Sequence, residues 1–139
     1  MASVSSIQIY VAIRDRDERS RIEDQLVLDD ADVSMFSSAL ELWDRFQIRP
    51  PRFVITDLRF GGGMDGLEQT RRIRNQFPTP YVYVLMRSRK EKLEEIQSGL
   101  AAGVDDYLIK PHNPFQIRSR VLVGMRWLTY IDSITGADR

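Results

Sequence analysis

Phe53-Val54-Ile55-Thr56-Asp57 starts just after a Pro50-Pro51 break, reads as a strand covered on both faces, and ends abruptly in a carboxylate. On its N-terminal side, Ile7-Gln8-Ile9-Tyr10-Val11-Ala12-Ile13 has the same β-branched, nearly all-apolar character, and Val33 to Phe36 reads as a shorter strand. On its C-terminal side, Thr79-Pro80 precedes a fourth strand from Tyr81 to about Leu85, and Tyr107-Leu108-Ile109 is a fifth, closed by Lys110-Pro111. Amphipathic runs separate these strands. Asp17 to Leu28 carries Ile22 and Leu26 four apart, and Ser38 can cap a helix with Ala39, Leu42, Trp43 and Phe46 on one stripe. Leu67 to Phe77 follows the Gly61-Gly62-Gly63 loop, Lys90 to Gly103 is helical with Gly103 as its stop, and Phe115 to Leu128 is the last helix. Strands alternating with helices predict an α/β fold, a doubly wound five-stranded parallel sheet with five helices on its two faces.

Composition narrows the function. The 139 residues contain no cysteine, which excludes a disulfide scaffold, a thiolate zinc site and a cysteine nucleophile. His112 is the single histidine, too few for a histidine metal site or a histidine-dependent triad, and it is assigned no role. Twenty basic and 20 acidic side chains cancel, against the basic face of a nucleic-acid binder. The longest apolar runs, Ile9–Ile13 and Tyr81–Met86, fall far short of the roughly 20 residues that span a bilayer. No leader is visible at the N-terminus. The expectation is one domain in the cytoplasm, with neither nucleic acid nor membrane as partner.

Ligands of such sheets sit beyond the carboxyl ends of the strands. Arg14-Asp15 ends the first strand, Asp57 the third, Lys110 the fifth, and Ser88 stands near the end of the fourth. A carboxylate can accept a phosphoryl group as an acyl phosphate, given oxygen-bound Mg²⁺, a cation and a hydroxyl for the phosphoryl oxygens. Asp57 fits the acceptor, Asp15 a metal ligand, Lys110 the cation and Ser88 the hydroxyl. Read singly, each is an ordinary solvated residue at a strand end. Their convergence carries the reading.

At this point the chain resembles the receiver domain of two-component response regulators over about residues 6–129. The sharpest pieces are Phe53-Val54-Ile55-Thr56-Asp57-Leu58 with Met64-Asp65-Gly66, and Ala102-Gly103-Val104-Asp105-Asp106-Tyr107-Leu108-Ile109-Lys110-Pro111. The resemblance implies a flavodoxin-like, receiver-type sheet that is not itself an enzyme. It implies a sensor histidine kinase that phosphorylates Asp57, and Mg²⁺ held by Asp15, Asp57 and the backbone carbonyl of Arg59. It implies Lys110 and Ser88 on the phosphoryl group, a cis Lys110–Pro111 bond, and Tyr107 as a switch that swings inward. The surface around the fourth helix, fifth strand and last helix would then control an output domain. A pseudo-receiver working by contact or dimerisation alone is the alternative. An aspartate-based Mg²⁺ phosphatase, a weaker third reading, wants a second acid where Arg59 stands.

Several positions depart from the family pattern. Arg14 replaces the first of two adjacent acids, which weakens any Mg²⁺ site; its guanidinium supplies charge beside Asp57 or faces solvent, with Asp17 then contributing through water. The loop from Leu58 to Gly66 is longer than usual and has three glycines, so it should be mobile. Ser88 is selected by counting back 22 residues from Lys110, whereas counting forward from Pro80 selects Leu85. Arg87 and Arg89 face phosphate or solvent. The tail divides the chain into a receiver over 1–129 and, over 130–139, the start of a linker or output domain. Asp132, Ile134-Thr135-Gly136 and Arg139 are similar to the entry of GGDEF-type diguanylate cyclase domains, although Asp138 replaces the usual asparagine and an ordinary frayed tail remains the other reading. Oligomeric state stays open, with a homodimer through the fourth helix, fifth strand and last helix as the family's usual form.

Overall fold

Alternate residues of each central strand point into two different layers of helices. The computed structural model describes residues 6–28, 31–89 and 92–136. It contains strands β1 (Ile7–Ala12), β2 (Ala31–Phe36), β3 (Phe53–Asp57), β4 (Tyr83–Arg89) and β5 (Asp106–Lys110), all parallel, in the order β2-β1-β3-β4-β5. Between and after them run α1 (Arg16–Gln25), α2 (Ala39–Ile48), α3 (Gly66–Gln76), α4 (Leu93–Ala102) and α5 (Pro114–Thr135). Ile9, Val11, Phe53, Ile55 and Leu85 pack with Ile22, Ile117 and Val121 under α1 and α5. Tyr10, Ala12, Val54, Val84 and Met86 pack with Leu42, Phe46 and Ile73 under α2 and α3. This is the doubly wound sheet the alternating pattern predicts.

Local signals set most helix ends. The Ser38 hydroxyl accepts from the Glu41 N–H at 3.1 Å, and Gly103 ends α4 at φ 108°, a left-handed backbone that a side chain resists. Asn113 and Gln116 form a reciprocal capping box before Pro114 at the start of α5. The Lys110–Pro111 and Thr79–Pro80 bonds are both cis. Lys90, the expected start of the fourth helix, and Asp138 and Arg139 of the tail lie outside the described residues.

Two elements differ from the sequence expectation, and both bear on the site. β4 begins two residues later and runs four residues further, carrying Arg87, Ser88 and Arg89 into the sheet opposite Asp57, Ile109 and Lys110. The extra residues before it are taken up at Tyr81. Arg52 Nε donates to the Tyr81 carbonyl at 2.7 Å, the Arg74 guanidinium lies 4.5 Å above its ring, and its hydroxyl bonds Asp105. The other is α5, which continues past Leu128 to Thr135. Arg52 clamps that extension with a two-pronged pair to Asp132, at 2.7 and 2.8 Å.

Candidate functional site

Asp57 ends β3 with 2% of its surface exposed, at the floor of an open cleft of about 350 Å³. Its Oδ2 accepts the backbone N–H of Arg14 at 2.9 Å. Its Oδ1 accepts from Arg87 Nη1 at 2.5 Å, and Lys110 Nζ lies 3.5 Å from the same oxygen. Three nitrogen donors from three different strand ends therefore converge on one carboxylate. Because the sheet is parallel and the strands end together, this placement follows from register.

Arg87 organises the site. It is also 2% exposed, and removing a guanidinium from water costs several kcal/mol unless its charge is met. It is met twice, by Asp57 and by Glu18 Oε1 of α1 at 2.5 Å from Nη2. Its third donor, Nε, is accepted by His112 Nε2 at 3.1 Å. The reading of Arg87 as solvent-directed is thus corrected, while Arg89 is exposed. The sequence carries little signal for this: Arg87 directly follows the apolar run Tyr81–Met86 and precedes Ser88 and Arg89, so it reads as the end of a strand. Glu18 and His112 carry none, since their pairing with Arg87 is set by tertiary structure alone.

The other site residues fall as follows. Lys110 reaches Asp57. Ser88 lies one residue beyond Arg87 and points to the opposite face of the sheet, with Oγ 3.5 Å from Glu95 Oε1 of α4. Tyr107 is 7% exposed and turned inward, donating to the carbonyls of Glu95 and Ile96 at 3.1 Å. A Cβ on Gly99 would stand 1.6 Å from its hydroxyl, so the missing side chain makes the seat for the ring.

Two of the expected metal ligands, Asp15 and Asp57, have other partners. Asp15 is exposed, and its Oδ1 caps α1 by accepting the Glu18 N–H at 2.9 Å, which holds its carboxyl below the usual value. Arg14 gives Asp57 its main-chain N–H, while its guanidinium lies over the glycine loop, where a Cβ on Gly61 would come within 2.6 Å of Nη2. Arg59 pairs with Glu95 at 2.6 Å across the mouth of the cleft. Among the described residues, no three His, Cys, Asp or Glu side chains are grouped as metal ligands. A hard cation with oxygen ligands does not fit this donor set.

Burial holds the His112 imidazole below its ordinary value of 6.5, and the adjacent Arg87 charge adds to this. The sign of the effect on stability follows. As pH falls below 6.5 the unfolded chain takes up a proton that the folded chain still refuses, so stability declines with acidification. His112→Gln, whose amide oxygen can still accept from Arg87, should flatten that decline between about pH 7 and pH 5 in urea titrations. An unchanged slope would mean that His112 is not excluded from protonation.

Comparison with known proteins agrees with this architecture. Residues 11–122 match the response regulator receiver domain family, and the chain belongs to that family. It is 33% identical over 91 residues to the transcriptional regulatory protein AruR of Pseudomonas aeruginosa, covering 66% of this chain and 36% of that protein. It is 29% identical to the transcriptional regulatory protein CseB of Streptomyces avermitilis, covering 86% of this chain and 50% of that protein. The chain thus spans half or less of the length of these relatives. Among solved structures, a response regulator of Chloroflexus aurantiacus superposes with a TM-score of 0.80 at 23% identity, over 88% of this chain and 99% of that one. A two-component response regulator/GGDEF domain protein superposes at 0.82 with 24% identity, over 89% and 51%. These structures share the fold. The chain is accordingly a signalling domain of the two-component type, and no described helix is long and apolar enough to cross a membrane.

Proposed function

We propose that Asp57 is the phosphoacceptor of this receiver domain. A sensor histidine kinase in the cytoplasm donates the phosphoryl group, Lys110 meets one phosphoryl oxygen, Ser88 turns to another, and Tyr107 holds the packing beneath α4 that responds. The observation that carries this reading is the position of Asp57. It sits at the end of the central strand, on the floor of the only cleft where Lys110 and the Arg14 N–H also converge among the described residues. The change is a biased two-state equilibrium, with the phosphoryl group interacting better with one state. The Mg²⁺ expected from Asp15, Asp57 and the Arg59 carbonyl has no part in this reading, because Asp15 caps α1 and Asp57 already faces three nitrogen donors.

Intact-mass spectrometry after acetyl phosphate treatment tests it. One phosphate mass is expected on the native chain and none on Asp57→Ala. An adduct that persists in the alanine variant would move the acceptor elsewhere. No adduct on the native chain would favour the pseudo-receiver reading.

The same proposal extends to the output. With the receiver over 1–129 and a connection over 130–139, α5 runs across that boundary as one continuous helix to Thr135. Val123, Trp127, Tyr130 and Ile134 are exposed on it at alternating spacings of four and three residues. Alternating steps of four and three are the spacing that a coiled-coil seam uses. A homodimer through this seam, driving a diguanylate cyclase output, is the arrangement it suits; the GGDEF protein with the same fold supports that choice.

A further inference from the structure

We infer that Arg87 supplies the positive charge at Asp57 that a divalent cation would otherwise supply, so that the carboxylate takes a phosphoryl group without metal. The inference rests on Asp57 being the acceptor.

The lone-pair geometry of Asp57 comes first. A carboxylate offers about four lone-pair sites on its two oxygens. Oδ1 meets both Arg87 and Lys110, and Oδ2 meets the Arg14 N–H. One site is left, and a metal there would stand beside the cations of Arg87 and Lys110. Each other acid of the cleft is engaged: Asp15 with the Glu18 N–H, Glu18 with Arg87, Glu95 with Arg59. Mg²⁺ demands near-octahedral oxygen coordination at about 2.0–2.1 Å and gives up water reluctantly. It would have to strip partners from this network to bind.

The charge around the cleft points the same way. Arg14, Arg59, Arg87, Arg89, Lys92 and Lys110 line it against four acids, a surplus of two positive charges. That surplus suits an incoming phosphoryl dianion and repels a divalent cation. Arg87 is also fixed in a way that Lys110 is not. Its planar fork is held by Glu18 on one prong and by His112 at Nε, which leaves Nη1 aimed at the acceptor oxygen. A donor held in place before reaction needs no reorganisation when charge develops on the phosphoryl group.

The step balances without a metal or a proton. A carboxylate oxygen of Asp57 attacks the phosphorus of acetyl phosphate and forms an O–P bond. The P–O bond to the acyl oxygen breaks, and acetate leaves with the electron pair.

The test follows phosphate addition by intact mass in excess EDTA and in excess Mg²⁺, with Mg²⁺ binding to the native chain measured separately by calorimetry. Equal rates with and without metal, and no saturable Mg²⁺ binding, are expected. A fall of about tenfold or more in EDTA, the scale of a metal acting as Lewis acid, overturns the inference and leaves Asp57 as acceptor. Saturable Mg²⁺ binding to the native chain overturns it too. No adduct under either condition overturns both this inference and the proposed function. Arg87→Lys keeps a charge but not the fork, and with its fold verified by circular dichroism it should react more slowly in EDTA. A variant as fast as the native chain would show that Arg87 is not the compensating group.

Discussion

Arg87→Met should lower the stability of this domain by about 3–5 kcal/mol, the range for breaking a buried ion pair from one side. The substitution keeps much of the volume and removes the one group that neutralises Asp57 and Glu18 together. Lys110 stays near Asp57 at 3.5 Å but is one-third exposed, so it compensates only in part. Adding Asp57→Leu should recover most of the loss, because replacing a whole buried pair by apolar side chains is often neutral. Urea denaturation of the single and double variants measures both changes. A loss below about 1 kcal/mol for Arg87→Met, typical of exposed pairs, would mean that the guanidinium is solvated.

Gly99→Ala should unseat Tyr107. The added methyl would lie 1.6 Å from the hydroxyl and 2.8 Å from Cζ, so the ring cannot stay where it is. Overpacking of this kind costs about 1–3 kcal/mol, and here the ring has a way out. The two hydrogen bonds to the Glu95 and Ile96 carbonyls are lost when it moves. Nitration with tetranitromethane, located by peptide mass, should therefore be slow at Tyr107 in the native chain and fast in Gly99→Ala. Gly99→Ala with Tyr107→Phe, which removes the hydroxyl that the methyl meets first, should be more stable than Gly99→Ala alone. If Tyr107 stays protected in Gly99→Ala, α4 has shifted instead, and the helix rather than the ring is the movable part.

The sheet was legible because its strands are buried on both faces. Ile9, Val11 and Ile13 alternate with Tyr10 and Ala12, yet both sets are apolar, and no amphipathic reading competes. Helix ends with a chemical stop, such as Ser38 and Gly103, were equally plain. The end of β4 was not. Composition closes a strand where charge begins, but Arg87 continues one because Glu18, 69 residues away in sequence, meets its charge. The site divides in the same way. Asp57 and Lys110 stand at strand ends that composition marks, whereas Ser88 is reached only by counting back from Lys110. That Asp15 would turn to cap α1, and that Arg14 would give its main-chain N–H to Asp57, depends on side-chain competition that spacing does not encode. The length of α5 was underread for a related reason. Its last turns bury little and are held by Arg52, from just before β3.

That clamp has a mechanical result. Arg52 immediately precedes the strand that ends in Asp57, so the far part of the long helix is bolted to the same rod that bears the acceptor. The rotation of the helix about its own axis is thereby fixed against β3 up to Thr135, where Gly136 ends it in a left-handed backbone. A residue inserted between Leu128 and Asp132 would turn the clamped carboxylate by about 100° about that axis, and only about seven residues bring it back to its starting bearing.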